Sequence, residues 1–473
     1  MAEHPSTTVV RDGMVWTGGP SPQYHDRTDL VVENGVVASL EPNYRGRADV
    51  EIDAEGCLVV PGLVNCHTHA GCTPPARGVA EDLDLPEAGA FYHSVVPLLS
   101  LLYEHVTRDE FLAIMEWDAT AMLLGGATTV VEENFGGADA WIELVDRLGF
   151  RSSLGLTYPG NVTAIGFVQD GKVVRDDPGD VASGLQRGLA LHDDWHGAFG
   201  DRLRVHLSPH ASDTVPEEVL RETKRLAGER GLTIHLHLAQ HLSEIHAIAQ
   251  SRDGQSPVRY LEEIGFLGPD VLATHVTYTD ANDWDALART GATVVHCPYR
   301  KAKEGLTSPF YEYVSRGVNV ALATDSFSHD LVEDLRLAAL LGKVREGAVG
   351  RPRAEEVLSC ATWGAARALG RDDLGRLDPG ARGDALVMDL GSPFTFPVLH
   401  PLRSLVYYSS SAAIRHSLVD GQPVVRDGSV VGSDTQDVAR RAASACERIW
   451  TLAVAEGALP PGTSYSRSIA SPT

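Results

Sequence analysis

No two cysteines stand in a Cys-x-x-Cys pair: the six lie apart, at positions 57, 66, 72, 297, 360 and 446. A long chain with so few and such scattered thiols reads as a reduced, cytoplasmic protein without a disulfide framework. No apolar run approaches the length needed to cross a bilayer, so a membrane role is not expected. The segment from Met1 to Gly13 lacks a basic stretch followed by an apolar one, so no secretory leader is expected either. Basic residues are in deficit, 40 Lys and Arg against 64 Asp and Glu, for a net charge of -24. Such a surface repels phosphate backbones, which sets nucleic acid aside as a partner; solubility accounts for the acidity. Beyond an alternation of strand and helix signals there is no internal repeat and no low-complexity tract.

What is present is ordinary globular composition, 43% apolar and 22% charged over 473 residues. Residues 1–61 read as short strands: Thr7–Val10, Met14–Thr17, Leu30–Glu33, Val36–Leu40, Val50–Ile52 and Cys57–Val60. Asn34-Gly35 between two apolar runs is a hairpin signal. The pattern then becomes strand, helix, strand, helix. Candidate buried strands are Leu58–Asn65, Ala127–Glu133, Arg151–Tyr158, Leu203–His210, Leu232–Ala239, Val271–Thr277, Thr293–Pro298 and Asn319–Ser326. Helical stretches such as Arg108–Leu124, Ala138–Leu148, Pro216–Glu229 and Ala281–Thr290 separate them, the arithmetic of a (β/α)8 TIM barrel. Residues 70–107, rich in proline, are a candidate active-site loop.

Strand signals return after Leu374, at Ala385–Asp389, Leu405–Tyr408, Ile414–Val419, Gln422–Arg426 and Val430–Val431. The expected organisation is therefore an α/β chain in three parts. Residues 62–373 form the barrel, 1–61 with 374–432 form a small composite β-sandwich domain, and 433–473 form a C-terminal helix and a mobile Pro/Ser-rich tail.

The stretch Val59–His69 ends in His67-Thr68-His69. Side chains two apart on a strand point the same way, so the two imidazoles aim at one point and supply half of a divalent-metal site. Alone, the pair would suit an ordinary loop equally well. In a barrel, however, the C-terminal ends of all strands converge on one site. Those ends carry His67 and His69, Glu132 and Glu133, Tyr158, His210, His237, His275, His296 and Asp325, in strand order. Nineteen histidines placed at random would rarely reach five of eight strand ends, so the pattern points to a metal centre.

These residues, with Pro61-Gly62-Leu63-Val64-Asn65-Cys66 before them, Gly125-Gly126-Ala127-Thr128-Thr129, His235-Leu236-His237-Leu238-Ala239, His296-Cys297-Pro298, Ala323-Thr324-Asp325 and Leu377-Asp378-Pro379-Gly380, carry a resemblance. The chain resembles the amidohydrolase superfamily, in its branch of cytosine- and guanine-type deaminases and triazine hydrolases, over nearly its whole length. The resemblance implies that His67, His69, His237 and Asp325 bind one divalent metal, Zn2+ ahead of Fe2+. It implies that His275 contacts the metal-bound water and Asp325 accepts its proton. It also implies a small-molecule substrate, a nitrogen heterocycle of purine, pterin, pyrimidine or triazine type that loses its amine, and a homodimer. His210 resembles a substrate-binding histidine. For His296 a supporting role and a substrate contact are both open, as for Arg77 are a substrate contact and a surface position. His235 reads as a packing residue one layer deeper.

Two departures stand out. Deaminases of this branch carry His-x-x-Glu, whereas this chain has His237-Leu238-Ala239-Gln240. An amide donates and accepts but carries no titratable proton, and a positioned acid or base is worth about 10²–10⁴ in rate. Three readings follow. Asp325 with His275 moves the proton while Gln240 orients the substrate; His241 or Glu244 substitutes; or the protein binds metal without turnover. Hydrolytic dehalogenation or cyclic-amide cleavage at the same site is the catalytic alternative. The second departure is Tyr299-Arg300-Lys301-Ala302-Lys303 after His296-Cys297-Pro298, a cationic loop that is either solvated or placed to attract an anionic substrate.

Overall fold

The computed structural model describes residues 7–79, 81–83, 94–159, 167–169, 172–174, 177 and 179–459. The tail beyond residue 459, and residues 80 and 84–93 of the long stretch after the first barrel strand, lie outside the described residues.

Five strands open the chain: Thr7–Trp16 (β1), Tyr24–Glu33 (β2), Val36–Glu41 (β3), Val50–Asp53 (β4) and Cys57–Pro61 (β5). The two short strands expected before Thr17 are one, β1, with irregular register around Gly13. β2 and β3 meet at Asn34-Gly35, both with positive φ (48° and 81°). That is the left-handed backbone a two-residue hairpin needs and Asn-Gly adopts cheaply.

The apolar run expected as one strand, Leu58–Asn65, is divided at Gly62. β5 stays with the flanking sheet, parallel to β1, while Leu63–Thr68 (β6) begins the barrel. The crossing is tight. A Cβ on Gly62 would lie 2.2 Å from Thr128 Oγ1, a separation only glycine permits.

Barrel strands follow at Ala127–Asn134 (β7) and Arg151–Tyr158 (β8); after a short hairpin, Phe167–Gln169 (β9) and Lys172–Val174 (β10), the fourth position is split into Leu203–Val205 (β11) and Ser208–Pro209 (β12). Ile234–Leu238 (β13), Val271–His275 (β14), Thr293–His296 (β15) and Val320–Leu322 (β16) complete the circuit. β6, β7, β8 and β11 pair in parallel, as do β13 to β16. Two seams join these arcs. At one, His237 N–H donates to His210 O at 2.9 Å; at the other, Asp325 N–H donates to His67 O at 3.0 Å. Both seams therefore bring site residues together through backbone bonds. The helix expected at Arg108–Leu124 begins with a capping box in which Thr107 and Glu110 satisfy each other's backbone donors.

Ala385–Asp389 (β17), Ile414–Val419 (β18), Gln422–Arg426 (β19) and Ser429–Val430 (β20) return to the first sheet, where β17 pairs antiparallel with β5. Both chain ends thus build one nine-stranded mixed sheet. Val37 N–H bonds to Ala381 O and Gly383 N–H to Gly35 O, so the sheet closes over its own core of Val10, Leu30, Ile52, Val59, Val387 and Leu418. The segment Leu405–Tyr408, expected as a strand, is the end of a helix, Pro401–Tyr408. Pro401 suits the first helical position, and Leu402, Leu405 and Val406 bury one face at helical spacing. The last helix, Thr435–Glu456, buries Val438, Ala442, Ala445 and Ile449. None of the described helices is long and apolar enough to cross a membrane.

Candidate metal centre

His67 lies near the end of β6 and His69 just past it, with ring centres 4.6 Å apart. His237 on β13 stands 4.9 Å from His67 and 5.4 Å from His69. His275 ends β14, 5.5 Å from His237. Asp325 follows β16. Its Oδ1 is 3.8 Å from His67 Nε2 and 3.9 Å from His69 Nε2, and its Oδ2 is 3.6 Å from His275 Nε2. Residues separated by more than two hundred positions in sequence therefore meet at one end of the barrel. Asp325 and His275 have positive φ (57° and 75°), an uncommon backbone for residues other than glycine and a common one at functional sites.

The ring nitrogens are oriented. His69 Nδ1 faces Glu133 O at 2.8 Å and His237 Nδ1 faces His210 O at 2.9 Å. A nitrogen against a carbonyl is the protonated one, which leaves each Nε2 bare. Both nitrogens of His67 are buried without a hydrogen-bond partner. Burial holds His67 and His275 well below the usual imidazole range, with neighbouring histidines adding to the effect at His67, and Lys301 ahead of His237 adding to it at His275; burial brings His237 down to about 3. Neutral imidazoles are the ligating form. A metal about 2.0–2.2 Å from each donor separates tetrahedral donors by roughly 3.4 Å; the candidate ligand atoms of His67, His69, Glu133 and His237 lie within 4.8 Å of one another, as do those of His67, His275 and Asp325. Three imidazoles and a carboxylate suit a divalent ion.

Beneath this group lies a layer whose function the strand-end pattern alone does not reveal. The Glu133 carboxylate contacts His235 Nδ1 and stands 3.5 Å from His237 Nδ1. Burial pushes Glu133 up, but the adjoining His235 and His237 outweigh it and hold the carboxyl well below the ordinary range. His235 also meets Thr274 Oγ1 at 2.7 Å, one layer deeper than His237, as its position two residues earlier implies. Glu132, next in the strand, turns the other way and accepts from Ala70 N–H and Thr68 Oγ1. Burial raises it to about 8. Adjacent acids on a strand face opposite sides, and that alternation was the available clue.

The amidohydrolase family pattern matches residues 58–424. The chain belongs to the amidohydrolase family. Among its relatives, the 5′-deoxyadenosine deaminase of Methanosarcina mazei is 31% identical over 93% of this chain and 98% of its own. A 5-methylthioadenosine/S-adenosylhomocysteine deaminase of Haloarcula marismortui is 32% identical over 88% and 93%. Among solved structures, an adenosine deaminase from Xanthomonas campestris with bound zinc superposes with a TM-score of 0.82 at 26% identity, over 94% of this chain and 98% of that one. A mutant atrazine chlorohydrolase from Arthrobacter aurescens, complexed with zinc and atraton, shares the fold at a TM-score of 0.80 and 23% identity, over 93% and 100%. The present amidohydrolase is accordingly a hydrolase of carbon–nitrogen bonds, and a divalent metal suits its donor set.

In this amidohydrolase a cavity opens above the cluster, walled by His210, Gln240, His241, Arg300, Phe135 and Phe327. His210 meets Thr214 Oγ1 at 2.9 Å, and burial brings it down to about 4. Gln240 N–H donates to Glu244 at 2.9 Å, and its carbonyl accepts from Lys301 Nζ at 3.0 Å. Glu244 also accepts from Ser212 at 2.6 Å and does not line the cavity. Arg77 and His296, for which a substrate contact is one of two open readings, are not among the residues that line this cavity. Arg77 is exposed at the end of the short helix Thr73–Ala76, outside the cavity wall. His296 is buried and stacked on Phe310 at 5.2 Å. The cationic loop is not solvated: Pro298–Ala302 is helical, and Arg300 and Lys301 are buried. Periodicity could not show this, because the burial is created by elements distant in sequence.

Proposed function

We propose that this enzyme hydrolytically deaminates a nitrogen heterocycle at the centre formed by His67, His69, His237 and Asp325. The observation that carries the reading is the convergence of these four residues, with both His67 nitrogens orphaned, beneath a cavity. Purine, pterin, pyrimidine and triazine rings share the required chemistry, and relatives acting on adenine-bearing nucleosides favour a purine. The four residues would hold one divalent ion, Zn2+ ahead of Fe2+. When bound, such an ion lowers the pKa of water to about 7. Asp325 takes the proton through Oδ2, and His275, 3.6 Å away, steadies the attacking oxygen. His210 and Gln240 hold the ring from the opposite wall.

Gln240 cannot pass on a proton, so in this reading Asp325, with His275 beside it, carries it to the leaving amine. The same feature favours a second reading, displacement of a group that leaves without a proton, such as halide. Purified, metal-quantified enzyme incubated with a heterocycle panel separates the two. Deamination releases one ammonia per turnover, whereas dehalogenation or ring opening releases none and would overturn the first reading. Gln240→Glu should raise ammonia release tenfold or more by restoring an acid; a fall would show that the chemistry needs the amide.

Residues 62–373 serve as the catalytic unit in this reading, with 1–61 and 374–432 as one flanking domain and 433–473 as the closing helix and tail. Six buried, unpaired cysteines support a cytoplasmic setting, and the exposed apolar group Phe394, Phe396, Leu399 and Tyr408 supports a homodimer.

A further inference from the structure

Three residues in five, Asp325, Phe327 and His329, hold a left-handed backbone, with φ of 57°, 92° and 58°. Such a conformation is costly for a residue other than glycine and persists only where its surroundings enforce it. Asp325 and Phe327 line the cavity; His329 does not line it and is fully buried. Its Nε2 lies 2.8 Å from Thr73 Oγ1 and 3.0 Å from Asp118 Oδ1, and its Nδ1 lies 3.5 Å from Thr324 Oγ1. Each of these partners leads to the site. Thr73 Oγ1 accepts from Phe327 N–H at 3.1 Å. Asp118, on the Arg108–Leu124 helix, accepts at 2.8 Å from the N–H of Gly71, two residues past His69. Thr324, next to Asp325, is held by Asn65, two residues before His67. Asn65 Nδ2 donates to Thr324 Oγ1 at 2.8 Å, and Thr324 N–H donates to Asn65 Oδ1 at 3.0 Å. One imidazole therefore joins the segment after β6, the segment after β16 and a helix outside the barrel. A Cβ on Gly125, at the end of that helix, would lie 2.3 Å from the His329 carbonyl oxygen, so the helix also presses on this segment. Thr73, Asp118 and Thr324 are as completely buried as His329.

We propose that His329 and Asp118 are positioning residues for the metal centre: acting through Thr73 and Thr324, they hold Asp325 and Phe327 in their left-handed backbone and so set where the Asp325 carboxylate points. His67 and His237 stand on strands of six and five residues, whereas Asp325 follows the three-residue β16 and draws its support from outside the sheet. Groups that orient a metal ligand from behind are worth about ten- to a hundredfold in metal affinity or activity. The inference rests on the metal-hydrolase reading of the site and adds to it the groups that keep its carboxylate in place.

The test compares His329→Asn with His329→Gln. Asparagine accepts the left-handed backbone but is too short to reach Asp118 or Thr73, whereas glutamine places an amide donor where Nε2 stands. Zinc affinity of the full chain is measured by competition with a chelator, and the visible spectrum of the Co2+-loaded protein reports the arrangement of the ligands. His329→Asn should weaken zinc about tenfold or more and alter the cobalt spectrum, and His329→Gln should recover most of the affinity. A role in stability alone would lower the urea midpoint and leave zinc affinity and cobalt spectrum of the folded protein at parental values. That result, or equal losses in the two variants, would overturn the proposal. Should His329→Asn fail to fold, Thr73→Val and Thr73→Ser repeat the comparison, valine removing the hydroxyl between His329 and Phe327 and serine keeping it. Ammonia release from the heterocycle panel is recorded on the parent enzyme. Weakened zinc in the variant with no ammonia from the parent sinks the deaminase reading alone, and ammonia from the parent with unchanged zinc affinity in the variant sinks this one alone.

Discussion

Asp325 is the residue on which the centre turns, because its two oxygens face different groups. Oδ1 looks toward His67 and His69, and Oδ2 toward His275 and Arg300. Its left-handed backbone, φ 57°, is one that asparagine adopts as readily as aspartate. Asp325→Asn should therefore keep the fold, unchanged by circular dichroism, while turnover falls at least a hundredfold and bound metal drops; near-normal turnover would remove Asp325 from the mechanism. At this scale the sequence was readable wherever a strand end was. His67, His69, His237, His275 and Asp325 were all named by position. Glu133 stood among the strand-end residues, but its contact with His235 was not legible, because which neighbour a buried carboxylate meets depends on the barrel's layers.

At the scale of elements, boundaries are decided by what the backbone must pass. Gly62 lets the chain leave one sheet and enter another within a residue, so Gly62→Ala should lower unfolding stability by about 1–3 kcal/mol, read as a lower urea midpoint, through the clash with Thr128. An unchanged midpoint would mean that the β5–β6 junction yields. An apolar run carries no mark of such a division, which is why Leu58–Asn65 reads as one strand. The Pro401–Tyr408 helix was missed for a related reason: Leu405–Tyr408 alone is too short to show a period, and only Pro401 ahead of it signals a helix start.

Across the whole molecule, the barrel and the sheet of the chain ends are tied by a buried charge cluster. Arg151, the first residue of β8, donates to Asp384 at 2.6 and 3.0 Å and also meets Asp420. Arg151→Leu strands Asp384 without its partner and should cost about 3–5 kcal/mol in chemical denaturation, whereas a loss below 1 kcal/mol would deny the clamp a role. Acid should act globally too. Burial holds His206 and His296 down at about 3, far under the roughly 6.5 of an unfolded chain. Between those values the unfolded chain binds protons that the folded one refuses, so stability is full above about pH 6.5 and falls as pH drops toward 3. His296→Leu should flatten that fall in urea titrations; an equal slope would assign it to other groups. By itself the sequence determined the local matters: which segments alternate as strand and helix, where the hairpin turns, and which ligand-type residues occupy strand ends, since all of these follow from short-range periodicity and backbone preference. Only the tertiary structure decided that Arg300 is buried against the cavity, that Arg77 and His296 stand away from it, and that Arg151 joins two sheets. Burial and charge pairing are created by elements hundreds of residues apart, and no local pattern encodes them.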